Sequence, residues 1–206
     1  MSALVVIAKE CVPGRVKTRL HPPFTMAEAA AIAAASLADT LEAARGVPAD
    51  RRILYFDGDP THTPHRGFEV IAQPDGPLDE RLAAIFDRLD EPTLLIGMDT
   101  PQLRAGDLRW PADSDAILGL AADGGFWALG MRRPCGDVIR GVPMSRPNTG
   151  ALQLAALTRA GLTIDLLDTM RDVDLAGDAR AVAAQTPGSA FARAVAAASG
   201  ALWVGA

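Results

Sequence analysis

Through its first hundred residues the chain alternates short, apolar, β-branched runs with longer stretches of helical character, and few folds accept that alternation. Ala3-Leu-Val-Val-Ile-Ala8 and Thr93-Leu-Leu-Ile-Gly97 are apolar at successive positions, the pattern of strands covered on both faces. Ile53-Leu-Tyr-Phe56 and Glu69-Val-Ile-Ala72 read as two more strands. Between the first and second runs, Thr25-Met-Ala-Glu28 spells a capping box, in which a hydroxyl oxygen and a carboxylate satisfy the free amides of a first helical turn. An alanine-rich helix to Arg45 follows from it. Between the third and fourth runs, Leu78, Leu82, Ile85, Phe86 and Leu89 fall on one face of a second helix. Strand and helix in turn predict an α/β architecture, three layers deep, with a mostly parallel central sheet.

The second half is less regular. Ala116 to Gly119 and Phe126 to Met131 read as strands joined by Leu120-Ala-Ala-Asp-Gly-Gly125. Pro134, Pro143 and Pro147 interrupt any long element beyond them. A helix from Leu152 to Arg159 stopped by Gly161, a strand from Thr163 to Leu167, a polar helix near Leu175 to Ala184 and a terminal helix from Phe191 to Ser199 complete the reading. With 206 residues and no repeat or linker, the chain reads as a single domain over 1–206.

A hydrophobic share of 49% with 22% charged residues excludes disordered and fibrous classes. The apolar start has no positive charge ahead of it and is too short for a secretory leader. The longest uncharged apolar stretch elsewhere, Ala29 to Ala38, is half of the roughly 20 residues a membrane span needs. Cys11 and Cys135 show neither metal-ligand nor redox spacing and read as free thiols, so a cytoplasmic protein with no membrane segment is expected. The net charge of -5 speaks against nucleic acid as a partner.

That average hides two opposed clusters. The segment after the first strand carries Lys9, Arg15, Lys17 and Arg19 against Glu10, a local charge of +3 around Gly14. Parallel sheets bind ligands beyond the carboxyl ends of their strands, so an anion is the natural guest of this loop. The loop lacks the glycine before Lys17-Thr18 that a P-loop requires, and no dinucleotide fingerprint occurs. Asp99 stands at the end of the buried strand Thr93 to Gly97, where an unpaired carboxylate is costly and a divalent cation would compensate it. Residues 165–178 hold five aspartates against Arg171, and Asp172-Val-Asp174 is the stronger candidate to join Asp99 at one sheet edge. The alternative role for Asp174 is a helix N-cap. Asp123-Gly124-Gly125 reads either as a hairpin turn or as a place where backbone and carboxylate meet a sugar; Trp127 beside it offers a stacking face or core packing.

Taken together, Ala8-Lys-Glu-Cys-Val-Pro-Gly-Arg-Val-Lys-Thr-Arg-Leu20, Gly97-Met-Asp-Thr-Pro101, Ala121-Ala-Asp-Gly-Gly-Phe-Trp127, Gly141-Val-Pro-Met-Ser145 and Asp172-Val-Asp174 resemble the bacterial DUF2064 family. The resemblance runs to about residue 180 and implies a GT-A, nucleotide-diphospho-sugar transferase type of fold, with a nucleotide-binding half over 1–110 and a sugar or acceptor half over 111–206. Cys11 stands where the family often has proline, and Pro77-Leu-Asp-Glu-Arg-Leu82 replaces its usual Asp-Leu-Gly-Glu-Arg. By this resemblance Ala8, Lys9, Gly14, Arg15, Lys17, Arg19, Gln73 and Asp99 would hold the nucleotide, and Thr100, Asp123, Gly124 and Gly125 the sugar or acceptor. Asp99, Asp172 and Asp174 would bind Mg²⁺ or Mn²⁺, and Lys17, Asp99 and Asp123 would be catalytic. The implied activity is glycosyl transfer from a nucleotide-diphospho-sugar to a small-molecule acceptor. Gly-Arg-Val-Lys-Thr-Arg-Leu is also similar to an element of the phospholactate guanylyltransferases, which makes nucleotidyl transfer from a nucleoside triphosphate the first alternative and a non-catalytic nucleotide-binding protein the second.

Overall fold

A computed structural model describes residues 2–201 of the chain; Met1 and residues 202–206, which the single-domain reading includes, lie outside the described residues. Seven strands form one sheet: β1 (Ala3–Lys9), β2 (Arg51–Asp57), β3 (Glu69–Ala72), β4 (Thr93–Gly97), β5 (Ala116–Ala121), β6 (Phe126–Met131) and β7 (Ile164–Met170), in spatial order β3-β2-β1-β4-β6-β5-β7. β6 pairs antiparallel with both β4 and β5, while the remaining pairings are parallel. The carboxyl ends of β1, β4, β5 and β7 therefore open onto a single edge. Five helices complete the fold: α1 (Met26–Arg45), α2 (Leu78–Arg88), α3 (Thr149–Arg159), α4 (Ala176–Gln185) and α5 (Ala190–Ala201).

The pleat sorts β1 between two cores. Leu4, Val6 and Ala8 face one side with Leu37 and Leu41 of α1, whereas Ala3 and Val5 face the other with Leu82, Ile85 and Phe86 of α2 and Leu157 of α3. Both sides of the strand are covered, which is why its sequence is apolar without alternation. A third cluster joins Ile32 on the outer side of α1 to Val182 of α4 and Phe191 of α5. Asp39 of α1 accepts hydrogen bonds from the backbone N–H groups of Ala190 and Phe191 at 3.1 and 2.7 Å, so α1 satisfies the start of α5 directly. The observed layers are those the strand–helix alternation predicts.

The local signals hold at atomic detail. Thr25 and Glu28 close the capping box of α1, with the Thr25 oxygen accepting from the Glu28 N–H at 3.2 Å and the Glu28 carboxylate accepting from the Thr25 N–H at 2.7 Å. Gly161 ends the α3 region with φ +75. The N-cap of α4 is Leu175, whose N–H donates to Asp178 at 2.9 Å, so Asp174 stands outside the cap and is free for another role. Trp127 is buried against Gly119 and donates its indole N–H to the Asp168 carbonyl at 3.1 Å, as a core tryptophan does. No helix among the described residues is long and apolar enough to cross a membrane.

Candidate active site

A cavity of about 380 Å³ opens at the sheet edge where β1, β4, β5 and β7 end. Ala8 and Lys9 come to it from β1, Asp99 and Thr100 from the turn after β4, Asp123 and Gly125 from the β5–β6 connection, and Asp172 and Asp174 from the segment after β7. Gln73 closes the β3 side. Both halves of the chain thus contribute walls.

The carboxylates are brought together by backbone ties between distant loops. The ladders of β5 are irregular between Gly119 and Ala121, next to the edge. There Ala122 N–H donates to the Met170 carbonyl at 2.8 Å, joining the ends of β5 and β7. Val173 N–H donates to the Asp99 carbonyl at 3.0 Å and Gln102 Nε2 to the Arg171 carbonyl at 2.6 Å, tying the segment after β7 to the turn after β4. Asp123, Asp172 and Asp174 consequently present carboxylate oxygens that all lie within 4.8 Å of one another.

Burial and then the neighbouring charges of Asp123 and Asp174 hold the Asp172 carboxyl above the usual carboxylate range. Burial acts the same way on Asp174, but the Lys17 ammonium outweighs it and holds that carboxyl below the usual range. Three hard oxygen donors in mutual repulsion fit a divalent cation such as Mg²⁺ or Mn²⁺ better than they fit one another.

Asp99 is not a member of that triad, and Asp123, read from the sequence as a sugar or acceptor contact, is. The Asp99 carboxylate is instead engaged by Lys17, whose Nζ lies 2.9 Å from Asp99 Oδ1 and 2.9 Å from Asp174 Oδ1. The Lys17 side chain is 8% exposed and does not line the cavity. Arg19 reaches Asp174 Oδ2 at 3.3 Å with an exposed guanidinium. Gly14 has φ +78 with open space where a Cβ would stand, so the turn needs its backbone conformation rather than its small size. Arg15 is exposed, makes no ion pair among the described residues and, like Gly14 and Arg19, stands outside the cavity wall.

Asp123-Gly124-Gly125 bears out the hairpin reading of that motif. It is the turn of an antiparallel hairpin, with Asp123 Oδ1 accepting from Gly125 N–H at 2.7 Å, and it carries one corner of the triad. Gly124 has φ +91, and a Cβ there would stand 1.8 Å from the Pro147 carbonyl oxygen. Thr100 is buried with an unpartnered hydroxyl at the cavity wall. Gln73 is fully engaged: its Nε2 donates to the carbonyls of Ala8 at 2.8 Å and Tyr55 at 2.9 Å, and its Oε1 accepts from Arg81 at 2.9 Å. It braces the wall.

Arg81, Ser145 and Arg146 also line the cavity, although the sequence motifs assign them no role. Ser145 takes a left-handed φ of 57, and the Arg146 N–H donates to Thr149 Oγ1 at 3.1 Å, which pins the loop entering α3. The Arg146 guanidinium has no ion pair among the described residues. A lone arginine between prolines has no spacing signal that could have singled it out.

The sequence profile of the family described as "Uncharacterized protein conserved in bacteria (DUF2064)" matches residues 38–146. No curated protein matches the chain. Among solved structures, a candidate nucleotide-diphospho-sugar transferase from Desulfovibrio desulfuricans G20 superposes with a TM-score of 0.81 at 25% identity, over 95% of this chain and 92% of that one. Rv0371c of Mycobacterium tuberculosis H37Rv in complex with manganese gives 0.52 at 22% identity over 88% and 96% of the two chains. CMP:2-keto-3-deoxy-manno-octonic acid synthetase complexed with CTP gives 0.55 at 13% over 89% and 98%. The last two comparisons establish a common fold. The architecture is that of the nucleotide-diphospho-sugar transferases.

Proposed function

The chain belongs to the DUF2064 family, and on that premise we propose that it is a metal-dependent transferase that moves a glycosyl group from a nucleotide-diphospho-sugar to a small-molecule acceptor. The observation that carries this reading is the convergence of Asp123, Asp172 and Asp174 within 4.8 Å at the open edge of a nucleotide-diphospho-sugar-transferase-like sheet. These three carboxylates would hold the divalent ion. When bound, it would neutralise the charge that develops on the departing nucleoside diphosphate.

The chain's own groups divide the remaining work. Lys9, at the end of β1, presents a cation on the nucleotide side, and residues 1–110 supply that wall through Ala8 and the Gln73 brace. Arg146 places a cation on the wall built from the second half. Because Gln73 and the Ser145 loop are pinned by internal hydrogen bonds, the cavity walls are organised before a ligand arrives, which is what positioning catalysis requires.

A second reading, nucleotidyl transfer with pyrophosphate as the leaving group, is favoured by Lys9, a cation on the cavity wall that no carboxylate claims among the described residues. A panel of nucleoside triphosphates and sugar nucleotides incubated with Mn²⁺ or Mg²⁺ and followed by ³¹P NMR separates the two. Nucleoside diphosphate released from a sugar nucleotide is the expected product. Pyrophosphate released from a triphosphate in the presence of a phosphorylated acceptor would replace the first reading by the second, and metal-dependent binding without product would leave a nucleotide-binding protein.

A further inference from the structure

We propose that Arg146 forms an oxyanion subsite on the second-half wall of the cavity, so that the small-molecule acceptor bound there carries a phosphate or a carboxylate as well as a hydroxyl. The inference rests on the transferase reading above and names the class of acceptor within it. Arg146 is exposed and lines the cavity, and among the described residues its guanidinium has neither an ion pair nor a hydrogen bond. Three carboxylates share that cavity, and an arginine placed to neutralise them would stand in contact, as Arg19 does with Asp174 at 3.3 Å. Arg146 pairs with none of them. Its planar fork is left for a group that arrives with the ligand, and carboxylate and phosphate are the groups whose geometry it matches.

The loop that carries Arg146 is fastened at several points. Thr149, 3% exposed, closes its base: the hydroxyl donates to the Pro143 carbonyl at 2.8 Å and accepts from the Arg146 N–H at 3.1 Å. Upstream, Asp79 of α2 accepts from the Gly141 N–H at 3.0 Å. At the tip, Ser145 holds its left-handed φ of 57, a conformation that non-glycine residues rarely take and that recurs at ligand clamps. The same loop is seated on the turn that bears Asp123. Gly150 N–H donates to the Gly124 carbonyl at 2.8 Å, and a Cβ on Gly150 would stand 2.4 Å from the Gly125 carbonyl oxygen. Backbone against backbone leaves little slack, so the root of the Arg146 side chain keeps a fixed place relative to one corner of the carboxylate triad. Lys9 already supplies a cation on the nucleotide side. A neutral acceptor would gain nothing from a second one on the far half of the chain, whereas an acceptor oxyanion would be both attracted and oriented by it.

Isothermal titration of the full chain in Mg²⁺ with two matched sets of probes tests this: glycerol against glycerol 3-phosphate and glycerate, and glucose against glucose 6-phosphate and glucuronate. In at least one set, wild type is expected to bind a charged member about tenfold or more tighter than its neutral parent, the order for a hydrogen bond to a charged group. The phosphate and carboxylate members tell the two oxyanions apart. Arg146→Gln is expected to lose that preference and Arg146→Lys to keep part of it, with Mn²⁺ affinity unchanged in both. Cooperative thermal unfolding checks that the variants are folded, and the wild-type titrations can overturn the inference without them. Charged probes that bind no better than neutral ones in both sets, or a preference that survives intact in Arg146→Gln because the metal alone holds the anion, overturn the inference and leave the metal reading intact. No Mn²⁺ on wild type overturns both.

Discussion

The ammonium of Lys17 and the carboxylate of Asp174 meet at 2.9 Å across 157 residues of chain, one from the loop after the first strand and the other from the segment after the last. Folding therefore closes the positive cluster onto part of the negative one. What remains open to a ligand is the residue of that internal neutralisation: three converging carboxylates, Lys9 and Arg146 around one cavity.

Removing one corner of the triad should remove the metal. Asp172→Asn is expected to bring Mn²⁺ binding below detection and to lower turnover by about a hundredfold or more, in line with the loss of a main electrostatic stabiliser of a leaving group. Isothermal titration with Mn²⁺ and steady-state rates check it, with EDTA-treated wild type as the reference. The variant should also lose the metal-dependent rise in thermal stability, which for wild type at a hundredfold excess over Kd amounts to about 2.7 kcal/mol.

Gly124→Ala should damage the same site through the backbone. Its φ of +91 strains any L side chain, and the new Cβ would meet the Pro147 carbonyl oxygen at 1.8 Å, so the hairpin or the loop entering α3 has to move. Loss of about 1–2 kcal/mol is expected from the backbone conformation alone, with more from the clash. Urea unfolding would show the lower midpoint, and Mn²⁺ titration the weaker site.

Tyr55, the chain's single tyrosine, should contribute to the alkaline limb of stability. Its hydroxyl donates to the Arg81 carbonyl at 2.8 Å, and burial pushes its pKa to about 12. The folded state keeps a proton that the unfolded chain releases near its ordinary value of about 10, so the contribution is fully present below that pH and is lost as pH rises toward 12, at about 1.4 kcal/mol per unit. Tyr55→Phe should cost about 1 kcal/mol below pH 10 and show no such decline. Urea unfolding of both proteins between pH 8 and 11 is the measurement; a gap that stays constant to pH 11 would contradict the assignment.

Thr25→Ala should loosen the start of α1 without touching the site. The capping box satisfies the Glu28 N–H, and its loss is expected to cost about 1 kcal/mol. Differential scanning calorimetry would register this as a fall of a few degrees, with Mn²⁺ affinity unchanged.

Much of this molecule is decided by local pattern. The apolar runs Ala3 to Ala8 and Thr93 to Gly97, the Thr25–Glu28 box and the stripe from Leu78 to Leu89 specify strands and helices because covered strands and amphipathic helices impose periodicities that one stretch of chain carries by itself. Two opposed charge clusters, and the Asp-Gly-Gly turn, were legible for the same reason. Which carboxylates would share an ion was not. Asp99 looks the strongest ligand from its place at the end of a buried strand; tertiary contact sets it beside Lys17 and brings Asp123 to Asp172 and Asp174, a closeness that no spacing announces. Coulombic pairing at 2.9 Å depends on the parallel order that sets β1, β4, β5 and β7 at one edge and on the backbone ties between their loops, and no sequence spacing encodes either. The chain's local pattern selects its elements and its chemistry; the sheet's closure decides which charges cancel and which remain for a ligand.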